Sequence, residues 1–499
     1  MLLTVTIFLP LLGALVLLFV PGARVRLVKG LALLVSGATL ALTVALWVGY
    51  SGPGFDYYQK VEWIPSFGVG YEVGVDGISL PLIAMSALLF FASIIYSLRM
   101  ENRLRAFFGL MLFLETASIG LFAALDLFLF YVFFDISLFG MYFIIAMWGG
   151  ERKEAAAIKF FLYTLLGSLP MLLGFIVLYL FSDPLTFSIP ELARTQPLLG
   201  NNLWGGLAFL GIFISFAIKT PLFPFHTWLP AAHVEAPTAG SIILAGVLLK
   251  MGTYGFVRIS LTLLPDQFMR YALPIAILGL ISVMYGAFVA MAQKDLKSLV
   301  AYTSINHMGY VILGVAVAAA TTDALVPRTV ALNGAVLQMI AHGLVTGALF
   351  LLVGVIYDYR AHTRDIDAFG GLAGQMPRFT ALMVMAMFAS LGLPGLAQFP
   401  AEFQVFLGTL QVYPVLAIIA VFGVLITAAL FLRALQRIFL GEENPRWSSL
   451  KDADPRELIS SALMLVFVVV IGVYPTWVLS LVNGSTTALL QEVARVLGG

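Results

Sequence analysis

Six ionisable side chains stand in stretches of this 499-residue chain that otherwise read as hydrocarbon: Asp135, Lys219, Lys250, His307, His342 and Glu402. Lys219 lies roughly 16 residues, or about 24 Å of helix, into an apolar run that begins near Leu203. Pro221 and Pro224 follow at once and cannot donate to the carbonyls of Ala217 and Thr220. Such a break at membrane depth survives only where the backbone is buried in protein or lines a wet cavity. Lys250 sits centrally in the next apolar run. A central lysine costs ~2.5–3.5 kcal/mol on insertion scales, so two of them beside a broken helix point to ion movement.

Each group has a chemical reading and a structural one. Asp135, with eight uncharged residues before it and fifteen after, must be paired, hydrated or neutral. It either makes a static helix-to-helix ion pair or pairs reversibly with Lys219, holding that ammonium charged so that moving the carboxylate moves the proton. Snorkelling is the alternative for Lys219, and a loop-facing helix end is the alternative for Glu402, which follows a second break in LGLPGLAQFPAEFQVF. His307 and His342 stand at middle depth of neighbouring helices. They serve as relay groups, as hydrogen-bonded core or as a bis-histidine haem site. His226, His233 and Glu235 in FHTWLPAAHVEAP suggest a metal, but three ligands are not evident. Glu115 is a further intramembrane carboxylate with no assignable partner, and Asp76 and Asp126 read as interfacial caps.

The elements that must position these groups are membrane helices. With 61% hydrophobic residues, 11% charged ones and a mean hydropathy of +1.01, an ordinary soluble domain is excluded. The net charge of +1 leaves no basic face for nucleic acid. The chain has no cysteine and therefore no disulfide, thiolate metal site or cysteine-ligated cluster of its own. The first 20 residues lack a basic leader and read as a retained first helix.

Runs long enough to span about 30 Å give an all-α polytopic membrane protein of about fourteen helices. Helix 7 is expected near 203–224, helix 11 near 331–357 and helix 14 near 458–483; helix 12, near 379–410, should break at Pro394, Gly395 and Pro400. Nineteen of the 27 Lys and Arg fall in alternate loops, against six on the other side. Both termini should therefore face away from the cytoplasm. The broken helices 7 and 12 are five apart, and a unit of five crossings copied in tandem must invert. Helices 4–8 and 9–13 thus read as inverted repeats. The expected divisions are 1–105 for helices 1–3, 106–262 and 271–438 for the two repeats, and 439–499 for an inner loop, helix 14 and a tail.

Three stretches carry a resemblance: FAIKTPLFPFHTWLPAAHVEAPTAGSIILAGVLLKMGTYGFVRI, MWGGERKEAAAIKFFLYTLLGSLPMLLG and DLKSLVAYTSINHMGYVILG. They resemble the antiporter-like, proton-translocating subunits of respiratory complex I, most closely the M type, from about helix 3 to helix 13. The resemblance implies a hydrated polar axis along the membrane, with Asp135 and Lys219 as the pair, Lys250 as the central relay and Glu402 as the distal group. It places His307 and His342 on the second-half axis. Lysine at the Glu402 position would indicate the N type, and a long lateral helix the L type. One departure stands out: the family has glutamate at Asp135 and proline at Gly140. Aspartate is one methylene shorter, so contact with Lys219 needs closer helices or a water.

The implied function is proton translocation in a complex I-type NADH:quinone oxidoreductase of an energy-transducing, bacterial inner membrane. Cofactors are expected only in partner subunits, as FMN, iron–sulfur clusters and quinone. The expected partners are the L-type and N-type subunits and the lipid bilayer. The competing readings are an Mrp-type sodium/proton antiporter or membrane-bound hydrogenase subunit, a haem-bearing redox enzyme, and a membrane spacer.

Overall fold

The computed structural model describes residues 1–321 and 324–498; Gly499, the end of the expected 439–499 segment, lies outside the described residues. The apolar runs form α1 (Leu2–Phe19), α2 (Val25–Val48), α3 (Ser79–Ser97), α4 (Leu104–Ala123), α5 (Leu127–Trp148) and α6 (Lys153–Leu180). After these come the broken α7, as α7a (Asn202–Lys219) and α7b (Trp228–Glu235), and then α8 (Thr238–Leu263) and α9 (Pro265–Met291). The second half holds α10 (Leu296–Ala318), α11 (Leu325–Ala361), the broken α12 as α12a (Pro377–Ser390) and α12b (Gln398–Val412), and α13 (Pro414–Phe439). The chain closes with α14 (Pro455–Val473) and α15 (Thr476–Gly498). Thirteen helices among the described residues are long and apolar enough to cross a membrane, and the broken α12 makes the fourteenth crossing.

Caps set several of the starts. Asp126, Asn201, Asp295 and Asp454 each accept N–H groups of the first turn of the helix that follows. Burial then sorts the helices. The apolar windows of α8 and α11 are wholly buried, whereas those of α1, α2, α13 and α14 are only 33–39% buried and leave most of their apolar surface on the outside of the bundle. Lys250 and His342 are thus carried by the two most enclosed helices.

The inverted repeat extends to backbone detail. Ahead of α5, Leu127 N–H donates to Phe187 O at 2.9 Å and Ile189 N–H to Leu125 O at 2.8 Å. Ahead of α10, Leu296 N–H donates to Arg364 O and Ile366 N–H to Lys294 O, both at 2.8 Å. In each repeat the link between the first two helices therefore pairs with the link after the third. Five crossings separate the two bridges, which puts them on opposite faces of the membrane.

The breaks also match, because Leu222 N–H reaches Ala217 O at 2.9 Å and Leu393 N–H reaches Phe388 O at 3.1 Å, five residues back in both cases. Freed groups find protein partners, as membrane depth requires. Trp228 Nε1 donates to Ile218 O at 2.9 Å and Phe223 N–H to Ser282 Oγ at 2.9 Å.

Three sequence expectations need correction. The run 203–224 ends as a regular helix at Lys219, because the two prolines act before the apolar stretch runs out. Helix 11 is longer than 331–357. The run 458–483 is two helices, split at Tyr474–Pro475, since proline cannot continue the ladder. The loop after α2 contains an antiparallel hairpin of β1 (Asp56–Ile64) and β2 (Val69–Val75). α15 lies against that face, with Ser485 Oγ accepting from Gly77 N–H at 2.9 Å.

Candidate functional site

The site grows from α8. Two π-helical turns, Leu244–Leu248 and Phe256–Ser260, interrupt it on either side of Lys250, and such wider turns commonly mark functional positions. Lys250 is fully buried, and its ammonium returns along the first π turn to Ala245 O at 2.5 Å. Its other partner is Nδ1 of His342 on α11, 2.7 Å away. The His342 and His307 rings are 5.5 Å apart between centroids. His307 Nδ1 stands 3.3 Å from Glu402 Oε1. Four of the six expected groups therefore form one buried row across α8, α11, α10 and α12b.

Two glutamines hold its end. Gln338 Nε2 donates to Glu402 Oε1 at 3.2 Å and Gln398 Nε2 donates to the same oxygen at 3.3 Å. Gln398 Nε2 is also 2.9 Å from His307 Nδ1, and Ser390 Oγ at the end of α12a is 3.3 Å from His307 Nε2. The carboxylate is tucked against the second break, where a Cβ on Gly392 would lie 3.0 Å from Glu402 Oε2. The glutamines were not singled out from the sequence. A signal existed, since Gln338 precedes His342 and Gln398 precedes Glu402 by four residues, the spacing of one helix face.

The first half is arranged differently. Lys219, at the end of α7a and 1% exposed, donates to Ser137 Oγ at 3.2 Å and stands 4.6 Å above the Phe134 ring. Both residues flank Asp135 on α5. Asp135 itself makes no ion pair with Lys219, and its buried Oδ1 has no hydrogen-bond partner. The structure brings the expected pair to one patch of α5 but leaves the ion pair open. Unpartnered buried hydroxyls at Ser215, Thr220 and Thr346, with His342 Nε2, make this interior demand water.

On the face carrying the basic loops, a cavity of 760 Å³ opens between the ends of α5, α7b and α11 and the start of α10. Lys297, counted from sequence among the loop lysines, is buried in its wall and donates to Ala236 O at 2.6 Å. Beside it His233 is fully enclosed and stacked 4.4 Å from the Phe350 ring. His226 stacks on Phe223. Among the described residues no group of three or more His, Asp or Glu gathers as a metal site. The His307 and His342 rings stand 5.5 Å apart, with Nδ1 of His307 engaged by Gln398 and Nδ1 of His342 by Lys250. Glu115 accepts from Ser36 Oγ at 3.1 Å and touches none of the row.

Residues 124–427, which contain all six groups, match the family model described as NADH:quinone oxidoreductase/Mrp antiporter, TM. The chain belongs to this family. It is similar to NADH-quinone oxidoreductase subunit M of Rhodobacter capsulatus, 39% identical over 100% of this chain and 98% of that one. NAD(P)H-quinone oxidoreductase chain 4 1 of Synechococcus elongatus is 40% identical over 98% and 92%. Among solved structures, a chain of respiratory complex I from Thermus thermophilus with bound NADH superposes with a TM-score of 0.88 and 33% identity over the whole of both chains. A chain of the Mrp complex from Dietzia sp. superposes at 0.86 over 99% and 98%, with 21% identity, and shares the fold. Membership in the family makes this an antiporter-like, multi-pass membrane subunit.

Proposed function

We propose that the chain is the M-type, proton-translocating membrane subunit of a complex I-type NADH:quinone oxidoreductase and that the buried row is its proton relay. The observation that carries the relay is the direct contact of Lys250 with His342, followed by His307 and Glu402 at hydrogen-bond range of one another. Lys250 hands its proton to His342 Nδ1, and bridging water carries it across the two rings to Glu402. Lys219 is the input switch. In contact with Asp135 its charge is paired; against Ser137, as here, it makes no ion pair, and the difference between the two positions is passed on to Lys250. Redox chemistry in partner subunits biases Lys219 between the two positions, with the broken α7 as the bistable element.

The roles of Asp135, Lys219, Lys250, His307, His342 and Glu402 belong to this proposal. So do the division at 1–105, 106–262, 271–438 and 439–499, the L-type and N-type neighbours, and FMN, iron–sulfur clusters and quinone in those partners. The alternation of basic loops supports a bacterial inner-membrane setting with both termini outside.

Mass spectrometry of everything that co-purifies in mild detergent, beside an NADH:quinone assay of the same fraction, tests the assignment. Flavin and iron–sulfur subunits with quinone-linked turnover are expected. Small hydrophobic partners alone, with sodium-dependent transport, would move the chain to ion exchange, the other activity named in the description of the matching family model.

A further inference from the structure

Lys250, Tyr254 and Arg258 follow one another at four-residue spacing on α8, leading from the central lysine toward the face opposite the basic loops. Arg258, on the second π turn, is 4% exposed and ion-paired with the buried Asp76. Its Nε donates to Tyr254 Oη at 3.0 Å, and its guanidinium lies 5.1 Å from the Phe55 ring. Asp76 is fixed in turn, accepting the N–H groups of Ile78 and Ser79 at 3.1 and 2.9 Å in the turn that leads into α3. Immediately beyond lies a 180 Å³ cavity lined by Asp76, Arg258, Ser485 and Glu492, roofed by α15.

This cluster is built unlike the relay. The relay interior carries several unpartnered polar atoms, whereas Asp76, Tyr254 and Arg258 contribute none among the described residues. The one hydroxyl hydrogen of Tyr254 goes to Phe122 O at 3.1 Å. A guanidinium does not deprotonate in proteins. Neither group can pass a proton on, and the ion pair with Asp76 uses up the polar atoms of the cluster within itself, leaving none to hand a proton toward the cavity.

We infer that Asp76, Arg258 and Tyr254 form the proton barrier of the first repeat, sealing Lys250 from the cavity beneath α15 so that its proton leaves only along the row to Glu402. The inference rests on the relay reading of Lys250. It is tested on the assembled complex reconstituted into vesicles, with an imposed pH gradient and a pH-sensitive dye inside, in the absence of NADH. Arg258→Gln should raise passive proton leak by roughly tenfold. Asp76→Asn/Arg258→Gln, which leaves no unpaired buried carboxylate, should do the same while assembling normally. Adding Lys250→Ala should return the leak to the wild-type rate. An assembled double variant as tight as wild type, or a leak indifferent to Lys250→Ala, would overturn the barrier. NADH-driven pumping by the Lys250→Ala single variant is read in the same vesicles. If it pumps normally, the relay reading itself fails, whatever the leak.

Discussion

Lys219 rests on Ser137, two residues past Asp135, and Ser137 can receive it because its own hydrogen is donated to Phe134 O at 2.6 Å. The Asp135 carboxylate makes no ion pair with that ammonium, and its buried Oδ1 has no hydrogen-bond partner. The open arrangement is thus stabilised by a hydroxyl and an aromatic face in place of a counter-charge.

Asp135→Glu should close that gap. We expect proton pumping at or above the wild-type level, and Asp135→Asn should lower it by roughly tenfold. Dye-quenching measurements on reconstituted complex distinguish them; equal pumping by both variants would remove Asp135 from the switch.

Lys219→Ala should abolish pumping and depress coupled NADH:quinone turnover by roughly tenfold or more, while NADH oxidation by an artificial acceptor at the flavin continues. Loss of the artificial-acceptor reaction would mean that Lys219 supports assembly and not transport.

Glu402→Gln keeps the shape and the bonds to Gln338 and Gln398 but cannot take up a proton. If Glu402 is a relay group, pumping falls severely with unchanged yield of complex. If its role is packing at the second break, Gln is tolerated and Ala is not.

His342→Leu leaves the Lys250 ammonium with Ala245 O alone. The expected result is loss of pumping together with lower thermal stability, because an unpaired buried cation costs several kcal/mol, on the order of 3–5. The double variant His342→Leu/Lys250→Met should recover the stability and none of the pumping. Unfolding temperatures that do not differ between the two would contradict the pairing.

Asp126, outside the spans, gives a pH-dependent prediction. Burial pushes its carboxyl up from 3.8 to about 6, against three backbone N–H donors from Gly70, Phe128 and Leu129. Between those values the folded protein holds the proton more tightly than the unfolded chain. The contribution is therefore complete below the ordinary value and is lost as pH rises through about 6, up to ~3 kcal/mol in all. Stability of the wild type against unfolding should fall relative to Asp126→Asn as pH rises across that window, and parallel curves would refute the shift.

Much of this was legible in the sequence because a bilayer allows so few solutions. Apolar run lengths, alternating basic loops and paired proline breaks give fourteen crossings and the inverted repeat, since unsatisfied backbone and stray charge are both costly in hydrocarbon. Asp135, Lys219, Lys250 and Glu402 stand out for the same reason. Residue type and depth do not say which face of a helix meets which neighbour. Tertiary packing alone put His342 on Lys250, placed Gln338 and Gln398 on Glu402, turned Lys297 from a loop charge into a buried one, and joined Asp76 to Arg258 across 182 positions. It also set Lys219 on Ser137. That contact depends on how closely α5 and α7a approach, which no single helix encodes.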